Sequence, residues 1–187
     1  MRALRHADYH RMPWKNGGGE TIEIAVSPEG ASLENFNWRI SMAKVESNGP
    51  FSQFPGVERT LSVLEGQGIA LSIEGMPPIS LGKARAPFSF DASLKTDANL
   101  KDSAIVDLNV MSRRGHASHR CYRVLGGGKI ALGVKTTLVF SIGDGLIVDD
   151  GEEKLTLKNY DCAIVEGRTE GENLIISGGD CYVIELN

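Results

Sequence analysis

GPFSQFPGVERTLSVLEGQG, residues 49–68, is the stretch on which the reading of the fold turns. Pro50 and Pro55 remove backbone donors and hold the residues before them extended, which excludes helix from the first part. Over residues 59–65 the chain alternates. Leu61 and Val63 fall on one side and Thr60 and Ser62 on the other, the period-two pattern of a strand with one buried face. Glu65, Gly66, Gln67 and Gly68 read as a turn, after which Ile69, Leu71 and Ile73 resume the alternation. The segment is therefore expected to be a hairpin.

Composition bounds what such strands can belong to. A chain of 187 residues with 41% hydrophobic and 24% charged residues is globular rather than disordered, and its 22 glycines favour many short strands joined by turns. A net charge of -4 leaves no basic face for phosphates, so nucleic acid is excluded as a partner; Arg113 and Arg114 are too short a cluster to provide one. No apolar run approaches bilayer length, and the first fourteen residues carry Arg2, Arg5, His6, Asp8, His10 and Arg11 without an apolar signal core. No membrane attachment is expected. Cys121, Cys162 and Cys181 are an odd, widely spaced set among apolar neighbours, which suits reduced, buried thiols in the cytoplasm.

Outward from residues 49–68, two further strands carry unusual polar faces. In WRISMAKV, residues 38–45, Trp38, Ile40 and Met42 share one face and Arg39, Ser41 and Ala43 the other. If that second face lines a cavity, Arg39 is a carboxylate clamp, because its planar fork donates two parallel hydrogen bonds. In IVDLNVMSR, residues 105–113, Val106, Leu108 and Val110 belong to a core, while Asp107, Asn109, Met111 and Arg113 form the opposite row. An acid, an amide, a thioether and an arginine are an uncommon set for a solvent-facing strand. In a barrel such a row projects inward, and the cavity reading outweighs the solvent reading by about three to two.

MPWKNGGGETIEIAV, residues 12–26, offers Lys15 beside Gly17, Gly18 and Gly19. An anion-holding backbone nest and a plain hairpin loop are equally good accounts of that run. Beyond it, Ile22, Ile24 and Val26 alternate with Thr21, Glu23 and Ala25 as a strand. Residues 92–102 are polar and read as loop. His116 and His119 lack a third ligand at metal spacing, which favours a loop over a zinc site.

Short strands at close spacing, 137–142, 145–148, 154–157, 161–165, 173–176 and 181–186, fill the remainder with the rhythm of a jelly roll. That half contains no histidine. The expected organisation is a first lobe over residues 1–120 and a second over 121–187, with the boundary between 115 and 132 and exchange of strands between lobes allowed. No nucleophile elbow, thiol triad, phosphate loop or dinucleotide fingerprint is present. Neither a cofactor nor a metal is expected. Glu58 would be a general base if buried, but beside Arg59 an ion pair or a solvent-facing position is the better account.

The opening stretch resembles the first conserved motif of the cupin barrels, in which two histidines spaced one apart and then a glutamate hold a metal. Here the histidine positions fall on Ser52 and Phe54, and Glu58 remains. Taken in order, MPWKNGGGETIEI, NWRISMAKV, GPFSQFPGVERTLSVLEGQG and VDLNVMSRR resemble the HutD/Ves family of bacterial proteins. That resemblance implies an all-β, double-cupin (bicupin) jelly-roll fold with few short helices and no metal triad. It also implies an association with histidine utilisation or stress, and a small carboxylate ligand of the urocanate or formylglutamate type. Carried over to matching positions, the ligand-binding candidates are Trp14, Lys15, Asn16, Arg39, Ser41, Phe51, Arg59, Asp107, Asn109 and Met111. Where the family tends to have F-x-F-D-G-D, this chain reads FSFDAS, residues 88–93.

Together these features point to a non-catalytic small-molecule-binding bicupin, monomer or homodimer. In it Arg39, Arg59 and Lys15 hold a carboxylate, Asn109 and Ser41 take its polar groups, and Phe51, Trp14 and Met111 supply apolar walls. Two rivals remain open: a metal-independent isomerase or hydrolase with Glu58 or Asp107 as base, and a protein whose exposed sheet docks a partner or its own copy.

Overall fold

The computed structural model describes residues 1–167 and 171–187. Its strands in chain order are β1 (Arg2–Leu4), β2 (His10–Pro13), β3 (Gly19–Ser27), β4 (Trp38–Val45), β5 (Gly49–Pro50), β6 (Val57–Glu65), β7 (Ile69–Ile73), β8 (Ile79–Leu81), β9 (Phe88–Asp91) and β10 (Thr96–Leu100). They continue with β11 (Ile105–Arg113), β12 (His119–Val124), β13 (Gly128–Ala131), β14 (Thr136–Ser141), β15 (Leu146–Asp149), β16 (Lys154–Leu157), β17 (Cys162–Glu166), β18 (Asn173–Ser177) and β19 (Cys181–Leu186). The helical content of the described residues is a single 3-10 turn, His6–Asp8. The fold is all-β, and no helix among the described residues is long and apolar enough to cross a membrane.

Two compact units divide the chain: His10–Ser118, and Met1–Tyr9 together with His119–Asn187. The first nine residues thus belong with the C-terminal half. Their placement follows from pairing, since β1 adds antiparallel to β17 through Arg2 opposite Ile164 and Leu4 opposite Cys162. Asp161, which is buried, fixes the same segment by accepting from Arg5 Nη1 at 2.8 Å and the His6 amide at 2.9 Å.

The unit containing β1 has a five-stranded sheet, β1-β17-β14-β19-β12, and a four-stranded sheet, β13-β18-β15-β16. Val139, Ala163, Val165 and Val183 from the larger sheet meet Val148, Leu157, Leu174 and Ile176 from the smaller in one apolar cluster. Alternation along each strand supplies these contacts, as it must where a sheet buries one face against another.

The His10–Ser118 unit repeats that plan with a six-stranded sheet, β2-β3-β4-β11-β6-β9, and a four-stranded one, β5-β10-β7-β8. Its core joins Ala43, Leu61, Val63, Phe90 and Ile105 of the larger sheet to Ile69, Leu71, Ile73, Leu81 and Ala98 of the smaller. Leu61, Ile69 and Leu71 are fully buried, and each contributes about 1.5–3 kcal/mol by leaving water. A second cluster, Phe36, Val57, Ala92 and Met111 with Phe54 against it, lies in the same unit.

The expected hairpin over residues 59–73 is not a hairpin. β6 pairs with β11 and β9, whereas β7 pairs with β8 and β10 in the other sheet. Residues 65–68 form an arch from one sheet to the next, and glycine makes that corner passable. Gly68 has φ +117°, and a Cβ there would stand 2.3 Å from the Leu81 carbonyl oxygen. The polar stretch 92–102 also proved to contain a strand, β10, whose Thr96 and Ala98 are buried while Asp97 and Asn99 face outward. The polarity of the outward residues had hidden the period of two.

Candidate functional site

Strand β11 lies between β4 and β6, and its register with both assembles the site. Met111 stands opposite Arg39 on one side and Arg59 on the other; Asn109 stands opposite Ser41 and Leu61; Asp107 stands opposite Ala43 and Val63. With strands about 4.8 Å apart, these residues form three parallel rows on one face. Because Ala43, Leu61 and Val63 belong to the core between the two sheets of the unit, this is the inner face. The row is not solvated: Asp107 is 1% exposed, Asn109 3%, Met111 3%, Ser41 2% and Arg39 6%.

A connected polar network occupies that face. Arg59 Nε donates to Asn109 Oδ1 at 2.8 Å, and Arg59 Nη2 donates to the same oxygen. Asn109 Nδ2 in turn donates to Asp107 Oδ1. The Arg59 guanidinium also stacks over Phe51, its Cζ 4.3 Å from the ring centroid, with Phe90 at 5.9 Å, which favours a cation at that spot. Arg39 is held separately, its Nε 2.6 Å from Glu23 Oε2.

Glu23 was not singled out from the sequence, because alternation puts it with Thr21 on the polar face of its strand but does not show that β3 pairs with β4. The register of β3 against β4 shifts between Glu23 and Ala25, so Glu23 pairs with Ser41 and Val26 with Arg39. The bulge bends the strand beyond that point and puts Val26 on the face of Arg39, where strict alternation places it with Ile24 on the other; Glu23 keeps the face that alternation gives it, one pair along from Arg39. Phe90 was likewise not named as a candidate. Nothing in residues 88–93 shows that β9 pairs with β6 and sets Phe90 opposite Arg59.

Electrostatics follow from burial. Desolvation pushes the Asp107 carboxyl up to about 7, against the pull of Arg59 and the Asn109 hydrogen bond. Desolvation also lowers Arg59 to about 10, with Asp107 opposing the change and Arg39 adding to it. Arg59 stays charged at neutral pH, while Asp107 titrates there. Asp107 Oδ2 is buried without a hydrogen-bond partner, a costly arrangement for an ionised oxygen.

The remaining expected residues fall around this network or outside it. Trp14 packs against the same core and donates from Nε1 to Thr21 Oγ1 at 2.8 Å. Lys15 and Asn16 are exposed and are not gathered into the three rows. The Asn16 side chain accepts from the Gly18 amide at 3.0 Å, and the Gly17 amide donates to the Trp14 carbonyl at 3.0 Å. With those amides engaged inside the turn, the glycine run serves as the hairpin loop between β2 and β3 rather than as an anion nest. Ser52 is exposed, and Phe54 packs with Phe36. Glu58 shares its face with Thr60 rather than Arg59, and pairs with Arg114 at 3.6 Å. An exposed, paired glutamate does not make a general base. Arg113 ends the β11 row but turns to the carbonyls of Phe36 at 3.0 Å and Glu34 at 3.0 Å.

No group of three or more His, Cys, Asp or Glu side chains among the described residues could hold a metal ion. What the inner face offers is a cation, an amide and a titratable acid in sequence, a set suited to an anion with polar substituents.

Known proteins give an independent comparison. The HutD family model matches residues 6–183. An uncharacterised 21.2 kDa protein of the hutC 3′ region of Pseudomonas putida is 35% identical over 184 residues, covering 98% of this chain and 96% of that one. Protein Ves of Citrobacter koseri is 35% identical over 158 residues, covering 79% and 80%. Among solved structures, HutD from Pseudomonas fluorescens SBW25, in a formate condition, superposes with a TM-score of 0.87 at 35% identity, covering 100% of this chain and 97% of that one. An oxalate decarboxylase of Lactobacillus farciminis in complex with formate superposes with a TM-score of 0.65 at 8% identity, covering 98% and 85%, a likeness of fold alone.

Proposed function

The chain belongs to the HutD family, and on that premise we propose that it is a non-catalytic, cytoplasmic binding protein for a small carboxylate held on the inner face of the His10–Ser118 unit. The observation that carries this reading is Arg59. Its guanidinium lies deep beside two aromatic rings and is hydrogen-bonded to a neutral amide rather than a carboxylate. Among the described residues no acid stands within ion-pair distance of it. A half-buried cation whose direct contact is an amide, with its nearest acid, Asp107, one amide further off, is a ready partner for a ligand anion.

In this reading Arg59 takes the carboxylate, Arg39 stays paired with Glu23 at the neighbouring row, Asn109 and Ser41 meet polar substituents, and Phe51, Trp14 and Met111 form the walls. The hutC-region origin of the P. putida relative supports a carboxylate from histidine breakdown, of the urocanate or formylglutamate type. Calorimetry and thermal shift with formate, urocanate, formylglutamate and histidine test the reading. Binding of at least one acid, lost in Arg59→Ala, is expected; no binding by any of them, or equal binding by the variant, would refute it.

A second reading has one specific observation in its favour. Asp107, buried and titrating near neutrality, has the proton affinity of a general base. Turnover of one of these acids by the protein, abolished in Asp107→Asn, would place it among metal-independent isomerases or hydrolases.

A further inference from the structure

The charges on the inner face can be counted. From β3 comes Glu23 and from β4 comes Arg39, and the two neutralise one another at 2.6 Å. From β6 comes Arg59, and from β11 come Asp107 and Arg113, the last turned to loop carbonyls. The smaller sheet presents Ile69, Leu71, Ile73, Leu81 and Ala98 to this core, and none of these titrates. Arg59 and Asp107 therefore decide the balance between them, linked through the two ends of one Asn109 amide. With Asp107 ionised, the Arg59–Asp107 pair sums to zero, and an arriving carboxylate adds a negative charge that neither of the two compensates. With Asp107 protonated, one positive charge is left over.

We propose that Asp107 sets the charge of the ligand this face accepts, taking up one proton as one carboxylate arrives, so that the site co-binds a monoanion and a proton. This rests on the carboxylate reading above. Two structural facts and one consequence of the carboxylate reading support it. Asp107 is 1% exposed, so its charge is not screened by water. Its Oδ2 has no hydrogen-bond partner, so a proton there displaces no donor, although Arg59, the Asn109 amide and the Ala43 backbone amide all favour the ionised form. Its attractive partner Arg59 is the same group that the ligand engages, so binding removes the interaction that keeps Asp107 ionised. The desolvation that already lifts Asp107 into the neutral range allows the exchange to occur at ordinary pH. The face would thereby discriminate against dianions whose second charge points inward.

Formate is the probe, because it carries a single charge and does not itself titrate near neutrality. Its Kd is measured by NMR titration from pH 6 to pH 9 on the parent protein and on Asp107→Asn, which is isosteric and permanently neutral. The parent Kd should rise about tenfold per pH unit above the Asp107 transition, while the variant should bind with a flat profile. Carbon-13 detection of the Asp107 carboxyl in the parent, which needs no variant, should show its titration moving to higher pH when formate saturates the site. A flat profile for the parent, the same slope in Asp107→Asn, or an unmoved Asp107 titration would each overturn the proton linkage while leaving anion binding intact. Absence of formate binding to either protein at every pH would instead overturn formate as a ligand, and the co-binding with it.

Discussion

Arg59 donates from Nε and Nη2 to one acceptor, Asn109 Oδ1. An amide thus orients the guanidinium without discharging it. Asn109→Asp keeps the shape of that acceptor and puts a carboxylate directly on Arg59, while its other oxygen, replacing the donor to Asp107, shares a proton with that acid. The variant should fold, and its affinity for formate or urocanate should fall at least about tenfold as the internal ion pair replaces the ligand. Calorimetry on the two proteins at pH 7 measures this; unchanged affinity would show that the ligand does not use the Arg59 charge.

The raised proton affinity of Asp107 has a consequence for stability. In the unfolded chain the group titrates near 3.8, and in the folded protein near 7. Between those values the folded state holds more protons, so this group's stabilisation is fully present below about pH 4, declines as pH rises, and is lost above pH 7. Its contribution therefore makes the parent less stable at pH 8 than at pH 6, whereas Asp107→Asn lacks that part of the slope. Urea unfolding at both pH values, compared between the two proteins, checks the sign.

Glu23 and Arg39 form the other charged pair of the face, with side-chain exposures of 21% and 8%. Glu23→Ala leaves the guanidinium unpaired in a buried position and should cost about 3 kcal/mol. Adding Arg39→Met should restore much of that loss, because the cost lies in the stranded charge rather than in the missing contact. A double-mutant cycle in denaturant gives the coupling directly.

Much of this arrangement was legible in the sequence because it depends on period two alone. Alternation in residues 38–45 and 105–113 separated Arg39 and Ser41 from Ile40, and Asp107, Asn109 and Met111 from Leu108, and the register of β11 with β4 kept those divisions. What alternation could not show was which strands are neighbours. The partner of β6 is set by long-range pairing, so residues 59–73 looked like a hairpin although β6 and β7 lie in different sheets. Glu23 escaped notice for the same reason: alternation puts it on the polar face of its strand, but only the pairing of β3 with β4 sets it beside Arg39. Lys15 and Asn16 looked promising by chemistry, but the turn geometry uses the Asn16 side chain itself.

The arch at residues 65–68 makes the last prediction, and it separates backbone torsion from crowding. Gly56 and Gly68 both have positive φ, +75° and +117°, but a Cβ at Gly56 meets nothing within 4 Å, whereas at Gly68 it would lie 2.3 Å from the Leu81 carbonyl oxygen. Gly56→Ala should therefore cost only the torsional penalty of about 1 kcal/mol. Gly68→Ala must also push β6 and β7 away from the end of β8 and should cost about 3 kcal/mol or more. The amide of Lys101 donates to the Gly68 carbonyl at 3.0 Å, so hydrogen exchange at Lys101 should accelerate in Gly68→Ala and stay near the parent rate in Gly56→Ala. If Gly68→Ala were as mild as Gly56→Ala, the close approach of residue 68 to the end of β8 would be wrong.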